Sequence, residues 1–115
     1  IHTYNPVGIL NGGGNLTDIY VAAKGLAEWK KVIFAATVLP GYDDTHIRKP
    51  GLAYPRDEGL TYNKTWEAAV LSGADWVLIC SWNEWHEGSE IEPSLEYGNL
   101  YIELTADHAE KFKTS

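Results

Sequence analysis

A chain of 115 residues has the length of one small domain, and its hydrophobic content of 44% is that of a globular protein. The formal charge of −7, with the few lysines and arginines scattered, argues against a nucleic-acid or anionic-membrane partner, and no apolar run approaches the roughly 20 residues of a membrane span. The single Cys80 excludes an internal disulfide framework, no signal-peptide pattern is present, and nothing in the composition assigns a compartment. Five tryptophans and seven tyrosines are many for this length, and several stand beside Gly, Asn and Glu. Flat aromatic faces bordered by carboxylates and amides suit sugar rings, although aromatics also fill cores.

Three strand–helix units follow one another. The first opens with the extended segment "IHTYN", already reading as the tail of a strand, so the chain is expected to be a piece of a longer protein. A glycine-rich loop, "GILNGGGNLT", leads to a helix predicted over 17–30, with Ile19, Ala22, Ala23 and Leu26 on its inner face and Asn15 or Thr17 as cap. The second unit starts with "KVIFAATVLPG", a continuous apolar run that fits a strand buried on both faces, as in parallel sheets. A long polar loop follows, and then a helix predicted over 62–71, with Trp66, Ala69 and Val70 inward and Gly73 as its stop. The third has the strand "DWVLICSW", a glutamate-rich loop and a helix predicted over 100–112, with Tyr101, Leu104, His108 and Phe112 at helical spacing. The tripeptides beginning at Asn15 and Asn63 fit the N-glycosylation pattern, which is too common to place the protein in a secretory route.

Apolar parallel strands alternating with amphipathic helices predict an α/β fold. Three units are too few to close a (β/α)8 barrel of about 250 residues. Such a stretch leaves two sheet edges open, to be covered by the rest of a barrel or by another chain.

In parallel α/β folds, ligands gather at the C-terminal ends of the strands. The unusual residues obey that rule. Tyr4 and Asn5 end the first strand; Tyr42, Asp43, Asp44 and His46 follow the second; Trp82, Asn83, Glu84, Trp85, His86 and Glu87 follow the third. Glu84 and Glu87 suit glycosidic cleavage, in which one carboxyl protonates the leaving oxygen and the other acts as base or nucleophile. Trp82 and Trp85 could supply an apolar wall that keeps an acid protonated, and His86 or Asn83 could orient a carboxylate. A solvated acidic loop is the plain alternative. A metal site is the rival chemistry, drawing on His86, Glu87, Glu90, Glu92, Asp43, Asp44 and His46, but the second His of H-E-x-x-H is missing and Gly88 opposes a continuing helix. Arg48 and Lys49 are expected to pair with Asp43 or Asp44 and brace the loop rather than touch substrate.

The segment "WNEWHEGSEIEP", preceded by "PGYDDTHIRKP" and "TWEAAV" and followed by "LYIELT", resembles the C-terminal part of glycoside hydrolase family 99, the endo-α-1,2-mannosidase family, from about Phe34 to Phe112. The resemblance implies that residues 1–115 are about three βα units from the C-terminal portion of a (β/α)8 TIM barrel. It implies a retaining glycosidase that cleaves inside α-mannoside chains of an oligosaccharide or polysaccharide, with no metal and no cofactor. Glu84 would deprotonate the sugar 2-hydroxyl, whose oxygen attacks C1 to give a 1,2-anhydro intermediate; Glu87 would be the acid, then the base. Carboxyls about 5 Å apart would otherwise suggest a nucleophile and an acid. The resemblance also places Tyr42 near the pair, and Tyr42, Trp82, Asn83, Trp85, His86, Tyr4 and Asp44 form the expected substrate contacts. The loop "KPGLAYPRDEGLTYNKTW" is closer to uncharacterised relatives than to characterised mannosidases. A non-catalytic carbohydrate-binding or polysaccharide-assembly role on the same barrel is the alternative, and the fragment alone is expected to be inactive.

Overall fold

Four helices and four short strands make up the chain, described over residues 1–115 in a computed structural model. Its centre is β1 (Ala35–Val38), in which every residue is buried, as the continuous apolar run predicted. β4 (Trp76–Ile79) runs parallel to it, with Ala35 opposite Trp76 and Val38 opposite Ile79. The N-terminal segment also runs parallel to β1, but only through the bridge between His2 and Ala35. Two further bonds hold it: the Ala35 amide donates to the Ile1 carbonyl at 2.9 Å, and the Thr37 hydroxyl donates to the Thr3 carbonyl. Three parallel segments are thus built around β1, alternating with helices, which is the predicted α/β arrangement. β4 pairs only with β1, and along it Trp76, Leu78 and Ile79 are exposed.

Helix α2 (Leu16–Lys30) begins where Asn15 accepts a hydrogen bond from the Asp18 amide at 3.0 Å, so Asn15 rather than Thr17 is the cap. The inner face is not the predicted one. Leu16, Tyr20 and Ala27 are buried, whereas Ile19 and Leu26 are exposed. Two apolar stripes compete on this helix, and Tyr20 selects between them: its ring meets Phe34 edge-on at 5.5 Å while its hydroxyl donates to the Thr37 carbonyl at 2.7 Å. Burial pushes the Tyr20 phenol up to about 12, so it remains a donor. The glycine-rich loop also holds an unpredicted helix, α1 (Val7–Asn11), whose first amide bonds the Asn5 side chain at 2.9 Å.

Helix α3 (Leu60–Ser72) extends slightly beyond its predicted range and stops at Gly73, whose φ of 70° is the left-handed conformation that a Cβ disfavours. Tyr62, Thr65, Trp66, Ala68 and Ala69 are buried along it. Thr65 fastens the helix to the sheet: its hydroxyl accepts from the Leu39 amide at 3.0 Å just past the end of β1. Leu39 is itself fully buried, a burial that stabilises by about 1.5–3 kcal/mol. The Asn63 tripeptide therefore has its threonine sealed in the core. Helix α4 (Leu100–Thr114) docks Tyr101 edge-on against Tyr62 at 5.8 Å. His108 stacks flat on Trp66 at 5.5 Å and bonds Asn63 through Nε2 at 2.6 Å, and burial lowers its pKa; its role is packing. No helix is long and apolar enough to cross a membrane.

The polar loop after β1 is more ordered than its composition suggested. β2 (Tyr42–Asp43) and β3 (Ala53–Tyr54) form a small antiparallel pair, with Tyr42 opposite Tyr54. This pair presents the loop's polar residues to the turn that follows β4.

Candidate active site

β1 ends at Val38, and the buried Leu39, Pro40 and Gly41 carry the chain to Tyr42, itself buried just beyond the strand's C-terminal end. Cys80 and Ser81 likewise lead on from β4. Beyond them, Trp85–Glu87 forms one short 3-10 turn, with Glu84 as its N-cap and Gly88, at φ 59°, as its C-cap. Both glutamates therefore sit on one turn at the C-terminal side of a parallel pair. The turn's backbone is bound to its own flanks: the Ser81 hydroxyl accepts from the Glu84 amide at 3.0 Å, and the Ser81 amide donates to the Ser89 carbonyl at 2.9 Å.

The two carboxylates have different surroundings. Oε2 of Glu87 accepts from Arg48 Nη1 at 2.8 Å and lies 3.3 Å from the Tyr42 hydroxyl. The same hydroxyl lies 2.9 Å from Asp44 Oδ2, and Arg48 Nη1 reaches that oxygen at 3.0 Å. A phenol has one proton, so the shorter contact to Asp44 takes it, and the main donor to Glu87 is Arg48. Burial raises the Tyr42 pKa, and its bond to Asp44 and the Glu87 charge raise it further, which keeps the phenol neutral. Asp44 is held below the usual carboxylate range, first by the Leu52 amide at 2.7 Å and then by Tyr42 and Arg48. Bonds to Asp44 and Glu87 raise Arg48 in turn. By contrast, the half-buried Glu84 carboxylate has no hydrogen-bond or ion-pair partner in the chain.

The expected site residues separate into groups. Tyr42, Asp44 and Glu87 are brought together, with Arg48 as their common cation. Arg48 indeed pairs with Asp44 and braces the loop, whereas Lys49 takes no part. Trp82 and Trp85 are about half exposed, and Trp85 donates to Glu92 at 2.8 Å. Neither His86 nor the Asn83 side chain bonds a carboxylate; the orienting groups on Glu87 are Arg48 and Tyr42. Tyr4 is 72% exposed and lines a separate cavity of 140 Å³ with His2, Thr37, Leu78, Ile79, Cys80 and Ser81. Asn5 is taken up in starting α1. No group of three or more His, Cys, Asp or Glu side chains is arranged to hold a metal ion.

A cleft of 540 Å³ reaches the glutamate turn at Trp85 and Gly88 and is walled by Tyr42, His46, Tyr54, Arg56 and Tyr97 among others, but neither Glu84 nor Glu87 lines it. Its floor contains a pair that sequence reasoning missed. Arg56 and Glu90 are both buried and meet at 2.9 Å. The only signal was the presence of Glu90 beside the catalytic-looking segment, without any hint of which cation it would meet.

Against known families, the model of glycosyl hydrolase family 99 matches residues 4–113. The chain belongs to glycosyl hydrolase family 99. The match extends upstream of Phe34, where the sequence resemblance faded. A mouse glycoprotein endo-alpha-1,2-mannosidase-like protein is 35% identical over 115 residues, covering 86% of this chain and 25% of its own length. The mouse glycoprotein endo-alpha-1,2-mannosidase is 34% identical over 105 residues, covering 77% of this chain and 23% of its own length. In three dimensions the family 99 chain superposes on the GH99 endo-alpha-mannosidase from Bacteroides thetaiotaomicron with a TM-score of 0.86 and 30% identity, covering 98% of this chain and 38% of that one. A structure of a GH99 endo-alpha-mannosidase in complex with bis-tris-propane gives 0.87, also at 30% identity, with 98% and 40% covered. The family 99 chain thus spans about a quarter of the length of the curated relatives it matches.

Proposed function

We propose that residues 1–115 are about three βα units of the C-terminal portion of a (β/α)8 barrel, and that the whole protein is a retaining glycoside hydrolase cleaving internal α-mannosidic or related α-glycosidic bonds. The observation that carries this reading is the unequal pair on one turn beyond β4. Glu84 offers a carboxylate with no partner in the chain, suited to taking a proton from the sugar 2-hydroxyl. Glu87 is tethered through Oε2 alone. Its Oε1 has no chain partner and is the oxygen that would carry a proton to the leaving group and later take one from water.

In this mechanism Glu84 acts as base, the substrate's own 2-oxygen closes on C1, and the bond to the leaving oxygen breaks as Glu87 protonates it. Water then opens the 1,2-anhydro sugar with Glu87 as base while Glu84 returns its proton to the 2-oxygen, and two inversions give net retention. Tyr42, neutral and with its proton held by Asp44, contributes a wall rather than an acid. Trp82 and Trp85 are the apolar faces available to sugar rings, and Asn83 and His86 are free donors on the rim. The substrate is an oligosaccharide or polysaccharide, and the remainder of the barrel covers the open edge of β4 and completes the site.

The test is hydrolysis of an α-1,2-linked mannoside chain by the full-length parent, with the anomer of the first product read by NMR, followed by Glu84→Gln and Glu87→Gln. Retention and loss of turnover in both variants support the assignment. A variant that hydrolyses at the wild-type rate refutes the role given to that residue. Binding without cleavage makes the protein a carbohydrate-binding barrel instead.

A further inference from the structure

We propose that Arg56 is a positioning residue, a clamp that holds the loop carrying Tyr42 and the turn carrying Glu87 in one geometry; this rests on the reading of Glu84 and Glu87 above. Arg56 lies where β3 leads into α3, and only 9% of it is exposed. Its head group reaches the glutamate turn. Nη2 donates to the Gly88 carbonyl at 3.1 Å and to Glu90 Oε2 at 2.9 Å. Gly88 directly follows Glu87 and caps its turn, so this bond fixes the peptide next to the proposed acid.

The stem of the same side chain reaches the other half of the site. Gly41, immediately before Tyr42, packs so closely that a Cβ there would lie 2.5 Å from Arg56 Cγ. Tyr97 and Tyr101 of α4 also pack against the guanidinium, with ring centroids 4.2 and 4.6 Å from its Cζ and the two rings nearly perpendicular to each other. A planar cation suits this slot because it can stack and bond in its plane at once. Both bonds leave from Nη2, while Nη1 is buried without a partner; what a lysine ammonium cannot reproduce is the planar group packed on Tyr97 and Tyr101. One buried side chain therefore touches the residue before Tyr42 and the residue after Glu87. Small errors in their separation would move Glu87 relative to bound substrate.

A residue that merely stabilised the fold would look similar in a static structure, so the test separates the two. In the full-length parent, Arg56→Met combined with Glu90→Met replaces a buried ion pair by apolar side chains of similar volume, a change that commonly leaves stability intact. The expected result is an unchanged melting temperature with kcat lowered about 10- to 100-fold, the cost of displacing a catalytic group, and KM within about threefold. Wild-type kcat in this folded double variant overturns the proposal. If the double variant does not fold, Arg56→Lys decides: it keeps the charge for Glu90 but loses the planar group packed on Tyr97 and Tyr101. A fall in kcat with a displaced limb in its pH–rate profile supports the clamp, and wild-type kcat and profile overturn it. Glu90→Gln, which leaves the Gly88 bond in place, is expected to retain most of kcat; a loss as large as that of Arg56→Lys overturns the Gly88 tether. Glu87→Gln runs alongside. If it abolishes turnover while Arg56→Lys is wild type, only the clamp fails; if it leaves turnover intact, the reading of the glutamate pair fails, and the clamp with it.

Discussion

Replacing Gly88 by alanine tests the geometry of the glutamate turn with the smallest possible side chain. Gly88 has φ 59°, in the left-handed region, and an L-residue there costs roughly 1–2 kcal/mol. Its position is also crowded. A Cβ would lie 3.2 Å from the Asp43 amide nitrogen and 3.3 Å from the Asp43 carbonyl oxygen. That backbone cannot retreat freely, because Asp43 pairs with Ala53 in the hairpin and its carboxylate bonds the Thr45 amide at 3.0 Å. Overpacking of this kind adds about 1–3 kcal/mol, so Gly88→Ala is expected to cost about 2–5 kcal/mol in total, part of it relieved by moving the turn. Movement of the turn moves Glu87, and a misplacement near 1 Å can cost about 10²-fold in rate. Urea unfolding and kcat of the full-length parent measure the two effects. Gly88→Asn separates their causes, since asparagine tolerates left-handed backbone but carries the same Cβ. Partial recovery of stability in Gly88→Asn, by about the backbone share of 1–2 kcal/mol, with kcat still low is the predicted pattern. A Gly88→Ala protein with wild-type stability and rate would refute both the crowding argument and the claim that this turn must be held.

Thr65→Val keeps shape but strips the buried Leu39 amide of its acceptor; a loss of about 1–3 kcal/mol is expected in urea denaturation followed by tryptophan fluorescence. Arg48→Met removes the main donor to Glu87 and leaves Tyr42 and Asp44 in place; kcat should fall about tenfold or more with KM less affected, and an unchanged kcat would show that Glu87 needs no tether. The pKa of Asp75 is held down by its bond to Lys24 at 2.8 Å and by the Phe34 amide at 2.9 Å. The unfolded chain, with Asp75 near its ordinary value of about 3.9, binds the proton more readily. Its stabilisation is therefore complete above that value and is lost as pH falls through the lower folded value. Asp75→Asn should show a shallower acid limb in stability against pH, and an identical limb would remove Asp75 from the account.

What could be read from the sequence was local. The apolar run ending at Pro40, the stripe of Trp66 and Ala69, and Gly73 as a stop all rest on spacing within one element, and each stands where expected. The face of α2 was misread because Ile19 and Leu26 are as apolar as Leu16 and Ala27. The choice between them depends on Tyr20 reaching Phe34 and Thr37, which is a tertiary matter. Helix α1 left a signal that glycine-rich composition obscured: Asn5 followed by Pro6 is a helix start, and Val7 and Leu10 lie three apart on one face. The hairpin of β2 and β3 had no comparable signal, since each strand has only two residues.

The same limit applies to the site, and it divides the candidates by kind. Residues that would meet substrate were conspicuous because carboxylates and indoles are out of place after a buried strand. Residues that hold them are not out of place anywhere. Arg48 is 39 positions from Glu87 and Arg56 is 32 from Gly88; the neighbouring Asp44 was legible as a partner for Arg48, but neither of these distant contacts was. Glu90 and Glu92 looked like two more acids of a charged loop, yet one is sealed against Arg56 and the other accepts from the Trp85 indole. The four glutamates of one short segment thus have three uses: Glu90 and Glu92 shape the turn, Glu87 is gripped at one oxygen, and Glu84 is left unbound. That asymmetry supports the proposed division of work between Glu84 and Glu87, since a base must keep its lone pairs available while an acid must be held in line with the leaving oxygen.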